Sequence, residues 1–164
     1  MIRNSRKSKV TLLTLLLLLI FSVGSLYGCS SKKTTKNPSV DEIVTKVKGS
    51  TDISQMPELD AEKLKMLYDI DAADLEGFKV YIAPSNIKAD ELAVIKVKDA
   101  KKVDEVKNKV AKRVENQGAS FKDYLPEEYS LIENHVLKTQ GNYVFLTISK
   151  DAEKIEAAFN ESFK

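Results

Sequence analysis

From residue 39 onward the apolar positions recur with two periods, and the period assigns the elements. Val40, Ile43, Val44 and Val47 fall at i, i+3, i+4 and i+7 behind Ser39-Val40-Asp41-Glu42, a capping-box sequence. This predicts a helix closed near Gly49. Residues 50–59, which include Pro57, read as a loop. Asp60 then caps a short helix with Leu64, Leu67 and Tyr68 inward. The period drops to two at Phe78–Ala83, with Phe78, Val80 and Ile82 on one face, and a second strand is predicted at Leu92–Lys98. Asp99 opens a long helix, Ala100 to about Gln117, on the stripe Val103, Val106, Val110 and Val114, with Gly118 as its stop. Ser120–Ile132 is helical in short pieces broken before Pro126. His135–Gln140 and Tyr143–Ser149 form a hairpin at Gly141-Asn142. Asp151 opens a last helix with Ala152, Ile155, Phe159 and Phe163 inward.

The order strand, strand, helix occurs twice. Lys98-Asp99-Ala100-Lys101-Lys102 and Lys150-Asp151-Ala152-Glu153-Lys154 agree at four of five positions, 52 residues apart. Strand-to-helix turns favour an Asp cap in any case, but the recurrence of the whole order favours two ββα units. The expected class is α+β: a four-stranded, mostly antiparallel sheet with helices on one face, plus N-terminal helices.

The N-terminus has a different character. Arg3, Arg6, Lys7 and Lys9 precede a 14-residue run, VTLLTLLLLLIFSV, broken only by Thr11, Thr14 and Ser22. A basic region before an apolar one is the pattern of a secretory signal. Extended to Tyr27 the run reaches 18 residues, the lower edge for an uncleaved span. The residues that follow, Leu26-Tyr27-Gly28-Cys29, resemble the lipobox of bacterial lipoprotein precursors, with an aliphatic residue at −3, a small one at −1, then Cys. Tyr27 is bulkier than is usual at −2. The resemblance implies a diacylglyceryl thioether on Cys29, cleavage between Gly28 and Cys29 by signal peptidase II, and N-acylation as a further step. Two acyl chains hold a protein stably on a bilayer where one is marginal. Residues 30–38, SSKKTTKNP, read as a flexible tether.

This changes the meaning of the composition. The whole chain has 26 basic and 24 acidic side chains, one Cys and one His. Without residues 1–28 the balance is 22 against 24, and without residues 1–39 it is 19 against 24, so the folded part is acidic. One Cys excludes an internal disulfide, and with one His it cannot make a Cys/His zinc site.

Candidate chemistry is sparse. Asp69, Asp71 and Asp74 cluster in DIDAADLEG. An EF-hand reading from Asp69 fails, because position 6 is Asp74 and position 12 is Val80. A solvated acidic loop is expected, with a non-EF cation site as the weaker alternative. His135 would have to serve any Ser-His-Asp or Cys-His group, and no GxSxG accompanies it. Asp90-Glu91 and Glu127-Glu128 are adjacent pairs, and neighbours in sequence do not face each other as a dyad. Phe121, Asp123, Tyr124, Glu127 and Tyr129 combine aromatics with acids in a Pro-broken segment, either a recognition surface or a cover for the core. Nucleic acid is not an expected partner: no phosphate-binding motif occurs, and acids interleave the lysines of residues 101–113.

The segments Leu67–Asp71, Ile87–Lys96, Phe121–Tyr129 and Gly141–Val144 resemble a family of small lipoproteins of low-GC Gram-positive bacteria, many of them clostridial, defined only by a domain of unknown function. The resemblance spans about residues 40–164. It implies an envelope location and carries no catalytic residues or cofactor. The expected organisation is a signal peptide at 1–28, a lipid-anchored tether at 29–38 and one domain at 39–164, on the extracytoplasmic face of the cell membrane. Its expected role is binding an envelope protein or wall polymer, with a small-ligand or cation-binding lipoprotein as the alternative and a hydrolase behind both. Expected partners are the membrane and the lipoprotein-processing enzymes.

Overall fold

The computed structural model describes residues 36–164. The expected signal peptide, Gly28, Cys29 and the expected tether up to residue 35 lie outside the described residues. The elements run α1 (Val40–Lys48), α2 (Ala61–Tyr68), β1 (Leu75–Ile82), β2 (Glu91–Val97), α3 (Val103–Phe121), α4 (Pro126–Glu133), β3 (Val136–Gln140), β4 (Tyr143–Ile148) and α5 (Ala152–Glu161). One-turn 3₁₀ segments precede β1 and α3.

Local chemistry accounts for most of these boundaries. At α1 the capping box is complete: the Glu42 amide donates to Ser39 Oγ at 3.1 Å, and the Ser39 amide donates to Glu42 Oε2 at 2.6 Å. Asp60 Oδ1 accepts from the Lys63 amide at 2.8 Å and starts α2. Pro126 occupies the first turn of α4, where its missing N–H is no loss. In the β3–β4 hairpin Gly141 alone takes positive φ, at 55°, the residue that a type II′ turn requires at its first central position.

The sheet order is β1-β2-β4-β3, and every pairing is antiparallel. The α+β class and the four-stranded antiparallel sheet are therefore as predicted. The placement of the helices is not: they cover both faces. Ala93, Ile95, Val97, Val144, Leu146 and Ile148 face α2, α3 and α4. Leu92, Val94, Tyr143 and Phe145 face α1 and α5. The cause is that the two central strands, β2 and β4, are buried at every position. A strand apolar on both parities needs cover on both sides.

Two equivalent ββα units joined through β2 and β4 would put α3 and α5 on the same face, so the two halves are not structural repeats. The shared Lys-Asp-Ala sequence also works differently in the two places. Asp99 accepts from the Lys101 amide at 3.0 Å, whereas Asp151 makes no cap bond and pairs with Lys154 at 3.0 Å.

Gly118 does not end α3. The helix continues to Phe121, and a Cβ on Gly118 would sit 3.6 Å from both Ile132 and Tyr129 of the crossing α4. The helix ends instead in the turn at 122–125. On the opposite face, Phe159 stacks on Phe145 at 4.3 Å and Phe163 meets Tyr143 edge-on at 5.0 Å. The Tyr143 hydroxyl stands 2.8 Å from Asn37 Oδ1, which ties down the residues leading into α1. No helix among the described residues is long and apolar enough to cross a membrane.

Candidate functional site: a polar cleft beside a buried ion pair

The connection 83–90 between β1 and β2 lies against the last two turns of α3, and between them is a cleft of about 480 Å³. Its polar groups come from the start of β2 and from α3. Glu91 has the same strand parity as Ala93 and Ile95, so its side chain points at the α3 core. Its carboxylate has no solvent exposure. On α3, Gln117 continues the buried stripe of Val110 and Val114, with Arg113 beside it.

A fully buried carboxylate is tolerable only when paired and hydrogen-bonded. Arg113 Nη2 stands 2.8 Å from Glu91 Oε2, and Arg113 Nε is 3.4 Å from Oε1. The Tyr68 hydroxyl at the end of α2 donates to Glu91 Oε1. The guanidinium also lies over the Tyr68 ring, 5.9 Å from its centroid. Burial, reinforced by the Glu91 charge, pushes the Tyr68 hydroxyl well above its usual pKa. Burial opposes the charge on Arg113, but the carboxylate more than offsets it and raises the guanidinium's pKa. Arg113 is thus locked from behind. Its side chain is 19% exposed and is one of the residues lining the cleft.

The neighbouring groups are held in a second cluster. Glu128 of α4 accepts from Lys88 Nζ at 2.5 Å and from the Ala89 amide at 2.8 Å. Burial works to raise its pKa, yet these two donors bring it below the usual range. Gln117 Nε2 donates to the Ala89 carbonyl at 3.2 Å, while its Oε1 is buried without a partner. Asp90 is half-buried. Burial, then the charge of Glu128, raises its pKa, and no side-chain cation among the described residues pairs with it.

All of these residues lie between positions 68 and 128. The sequence profile of the family described as a domain of unknown function, DUF4358, matches residues 49–149. The chain belongs to the DUF4358 family. The matched span holds all four strands and the whole cleft, and α1 and α5 lie outside it. No curated protein and no solved structure matches the chain.

The sites named from sequence are placed as follows in this DUF4358 fold. The proposed patch divides. Phe121 is buried and Tyr129 packs against the core, whereas Asp123, Tyr124 and Glu127 are exposed, Tyr124 at 83%. The three aspartates of the acidic segment are occupied separately. Asp69 pairs with Lys65 at 2.7 Å, Asp71 caps a 3₁₀ turn, and Asp74 pairs with Lys102 at 2.7 Å. Among the described residues no three His, Cys, Asp or Glu side chains converge as a metal site. His135 Nδ1 lies 2.7 Å from the Ile132 carbonyl at the end of α4.

Glu91, Arg113 and Gln117 were not candidates from sequence, yet the signals were there. A charge at an inward parity opens β2, and a polar residue occupies the next inward position of the α3 stripe.

A wider depression of about 620 Å³ lies beside the start of α1 and Ser162. Several of its side chains are engaged: Glu42 with Ser39, Lys46 with the Glu161 carbonyl, and Ser162 with the Ala158 carbonyl.

Proposed function

We propose that the chain is a lipoprotein precursor, and that its domain is held on the extracytoplasmic face of the cell membrane by a diacylglyceryl thioether on Cys29. There it acts as a non-catalytic binding module of the envelope. One juxtaposition carries the reading: the single Cys of the chain directly follows Gly28 at the end of the one apolar run. Cys29 and Pro38 are nine residue steps apart. At up to about 3.5 Å per step, the leash reaches at most about 30 Å. Lys32, Lys33 and Lys36 on this leash suit an anionic bilayer surface.

The binding half of the reading is supported by the cleft. It presents a pre-organised guanidinium and an unpaired carboxylate rather than a nucleophile beside a base. A second reading, docking of an envelope protein or wall polymer on residues 123–127, draws support from the exposed Tyr124.

Metabolic labelling with an alkyne palmitate in a bacterial host tests the anchor. The wild type is expected to take up label and to fractionate with membranes. Cys29→Ser is expected to lose the label and accumulate as the uncleaved precursor. Normal maturation of that variant, or an unlabelled wild type, would overturn the reading.

A further inference from the structure

We propose that β3 is the contact edge of a two-fold dimer. A second copy of this chain pairs antiparallel with it, Leu137 of each copy opposite Thr139 of the other, and the two sheets continue as one. The inference goes beyond the envelope-binding reading and does not depend on it.

The fold treats the two edges of its sheet differently. A residue in an antiparallel strand turns its N–H and C=O to one side, and its neighbour turns them to the other. The Ala83 amide donates to the Asp90 carbonyl at 2.8 Å, so the odd positions of β1 bond to β2 and the even ones face outward. Those outward groups are covered. The Leu59 amide donates to the Val80 carbonyl at 2.8 Å, and the Ile82 amide donates to the Pro57 carbonyl at 3.2 Å. Between them, the Glu58 carboxylate is held by Lys79 at 2.6 Å and Tyr81 at 2.9 Å. The register of β1 also slips between Leu75 and Gly77, a second obstacle to pairing along this edge.

β3 has no such cover among the described residues. The Val97 amide donates to the Asn142 carbonyl at 2.9 Å, so Asn142, Val144 and Leu146 bond toward β2. Tyr143, Phe145 and Thr147 then bond toward β3, where they face Gln140, Lys138 and Val136. Leu137 and Thr139 therefore turn N–H and C=O away from the sheet, and no hydrogen bond among the described residues reaches them. Edge strands are normally blunted by Pro, a bulge, an outward charge or a covering segment. β3 holds neither Pro nor Gly, and its register with β4 is unbroken. Its one charge is drawn back over the domain: Lys138 Nζ lies 2.6 Å from Glu156 Oε1 and 2.9 Å from Asn160 Oδ1 on α5.

The occupant follows from the edge itself. Alternating N–H and C=O groups are matched by another extended strand, and β3 is the sheet edge left open among the described residues. One register uses all of its outward groups. About a two-fold axis at Lys138, Leu137 of each copy exchanges two hydrogen bonds with Thr139 of the other. An axis at Leu137 would need the His135 amide, which already donates to the Ile132 carbonyl at 3.3 Å. An axis at Thr139 would need Gly141, whose φ of 55° takes it out of the strand. The two Lys138 side chains meet at the axis, and each brings the Glu156 carboxylate that neutralises it. Because β1 is covered, pairing through β3 uses up the open edge of each copy, and the assembly closes at two.

The test is disulfide trapping of the purified full chain in excess detergent micelles, oxidised with copper phenanthroline and read on a non-reducing gel. At the axis the two Cα atoms of position 138 lie about 4.5 Å apart, within reach of a disulfide. The two copies of position 140 stand about 13 Å apart, beyond it. Lys138→Cys is expected to trap a homodimer at least about tenfold more efficiently than Gln140→Cys or the parent chain, whose Cys29 sets the background. Adding Thr139→Pro removes an outward N–H from each copy and leaves the β3–β4 bonds intact. Two lost hydrogen bonds are expected to lower the Lys138→Cys yield at least about tenfold, with the melting temperature held.

Equal yields at positions 138 and 140, or a yield at 138 that Thr139→Pro leaves unchanged in a folded chain, overturn the β3 pairing. No trapped dimer at either position overturns the dimer itself. Where the Pro variant melts early, the comparison of positions 138 and 140 decides alone. In host membranes, Lys138→Cys trapped to another polypeptide and never to itself overturns the second copy as the occupant. Lipidation of Cys29 is read separately by the palmitate label.

Discussion

Replacing Arg113 by Met retains most of the side-chain length and removes the charge that holds Glu91. The carboxylate is wholly buried, and its remaining donor is the Tyr68 hydroxyl. Breaking a buried pair from one side leaves an uncompensated charge in a poorly polarisable site and costs about 3–5 kcal/mol. Domain stabilities are typically about 5–15 kcal/mol, so this one change removes from a fifth to nearly all of it. At about 4 °C per kcal/mol, the expected fall in melting temperature is about 10–20 °C.

Urea unfolding of wild type and variant, followed by far-ultraviolet circular dichroism, reads the difference as a shift in midpoint at constant slope. The informative comparison is the triple variant Glu91→Leu, Arg113→Met, Tyr68→Phe. Replacing every partner with an apolar side chain removes the burial penalty together with the attraction, and stability is expected to return to within about 1–2 kcal/mol of wild type. A single variant costing less than about 1 kcal/mol, or a triple variant no more stable than the single one, would refute the claim that Arg113 neutralises a desolvated carboxylate.

Three further outcomes are expected. Asp90 has a folded-state pKa above its ordinary 3.8, so the folded chain holds that proton more tightly than the unfolded one. Its contribution to stability therefore falls as pH rises from near 3.8 upward. Asp90→Asn should raise the melting temperature at pH 7, with the gain vanishing at pH 3; a gain that is larger at pH 3 would contradict the assignment. Gly118→Ala meets only ordinary contacts at 3.6 Å in mid-helix, so it should stabilise by up to about 1 kcal/mol. A loss of more than 1 kcal/mol in chemical denaturation would show that α3 and α4 cross more closely than described. Ser39→Ala breaks the capping box of α1 and should cost about 1 kcal/mol in the same assay.

Element types were legible from period alone because each apolar stripe has a single period and its ends carry caps or turn residues. What the patterns did not reveal was the third dimension. Val94, Phe145 and Tyr143 already placed large apolar groups on the parity opposite to Ile95 and Leu146. Read as a requirement for cover, that double-sided pattern calls for helices on both faces. The repeated Lys-Asp-Ala motif pointed the other way, because it reports only the turn from strand to helix. Gly118 misled for a related reason: a glycine beside a helix end and a glycine beneath a crossing helix look identical in one dimension.

The cleft was hidden by distance along the chain. Glu91 meets Arg113 22 residues later, and Ala89 meets Glu128 39 residues later. Neither spacing is local to any element. The acidic segment at 69–74 was conspicuous because its residues are adjacent, yet Lys65, Lys102 and Lys109 neutralise Asp69 and Asp74. Adjacency in sequence therefore marked the cluster that the fold had already satisfied. Groups left without a partner among the described residues, Asp90, Gln117 Oε1 and Thr147 Oγ1, come from separate elements. A fold under selection for stability alone would have an apolar residue at the 117 position of the α3 stripe and a neutral one at 90. Asp90, Arg113 and Gln117 all line the cleft, and that is the physical reason for placing binding here rather than at the acidic loop.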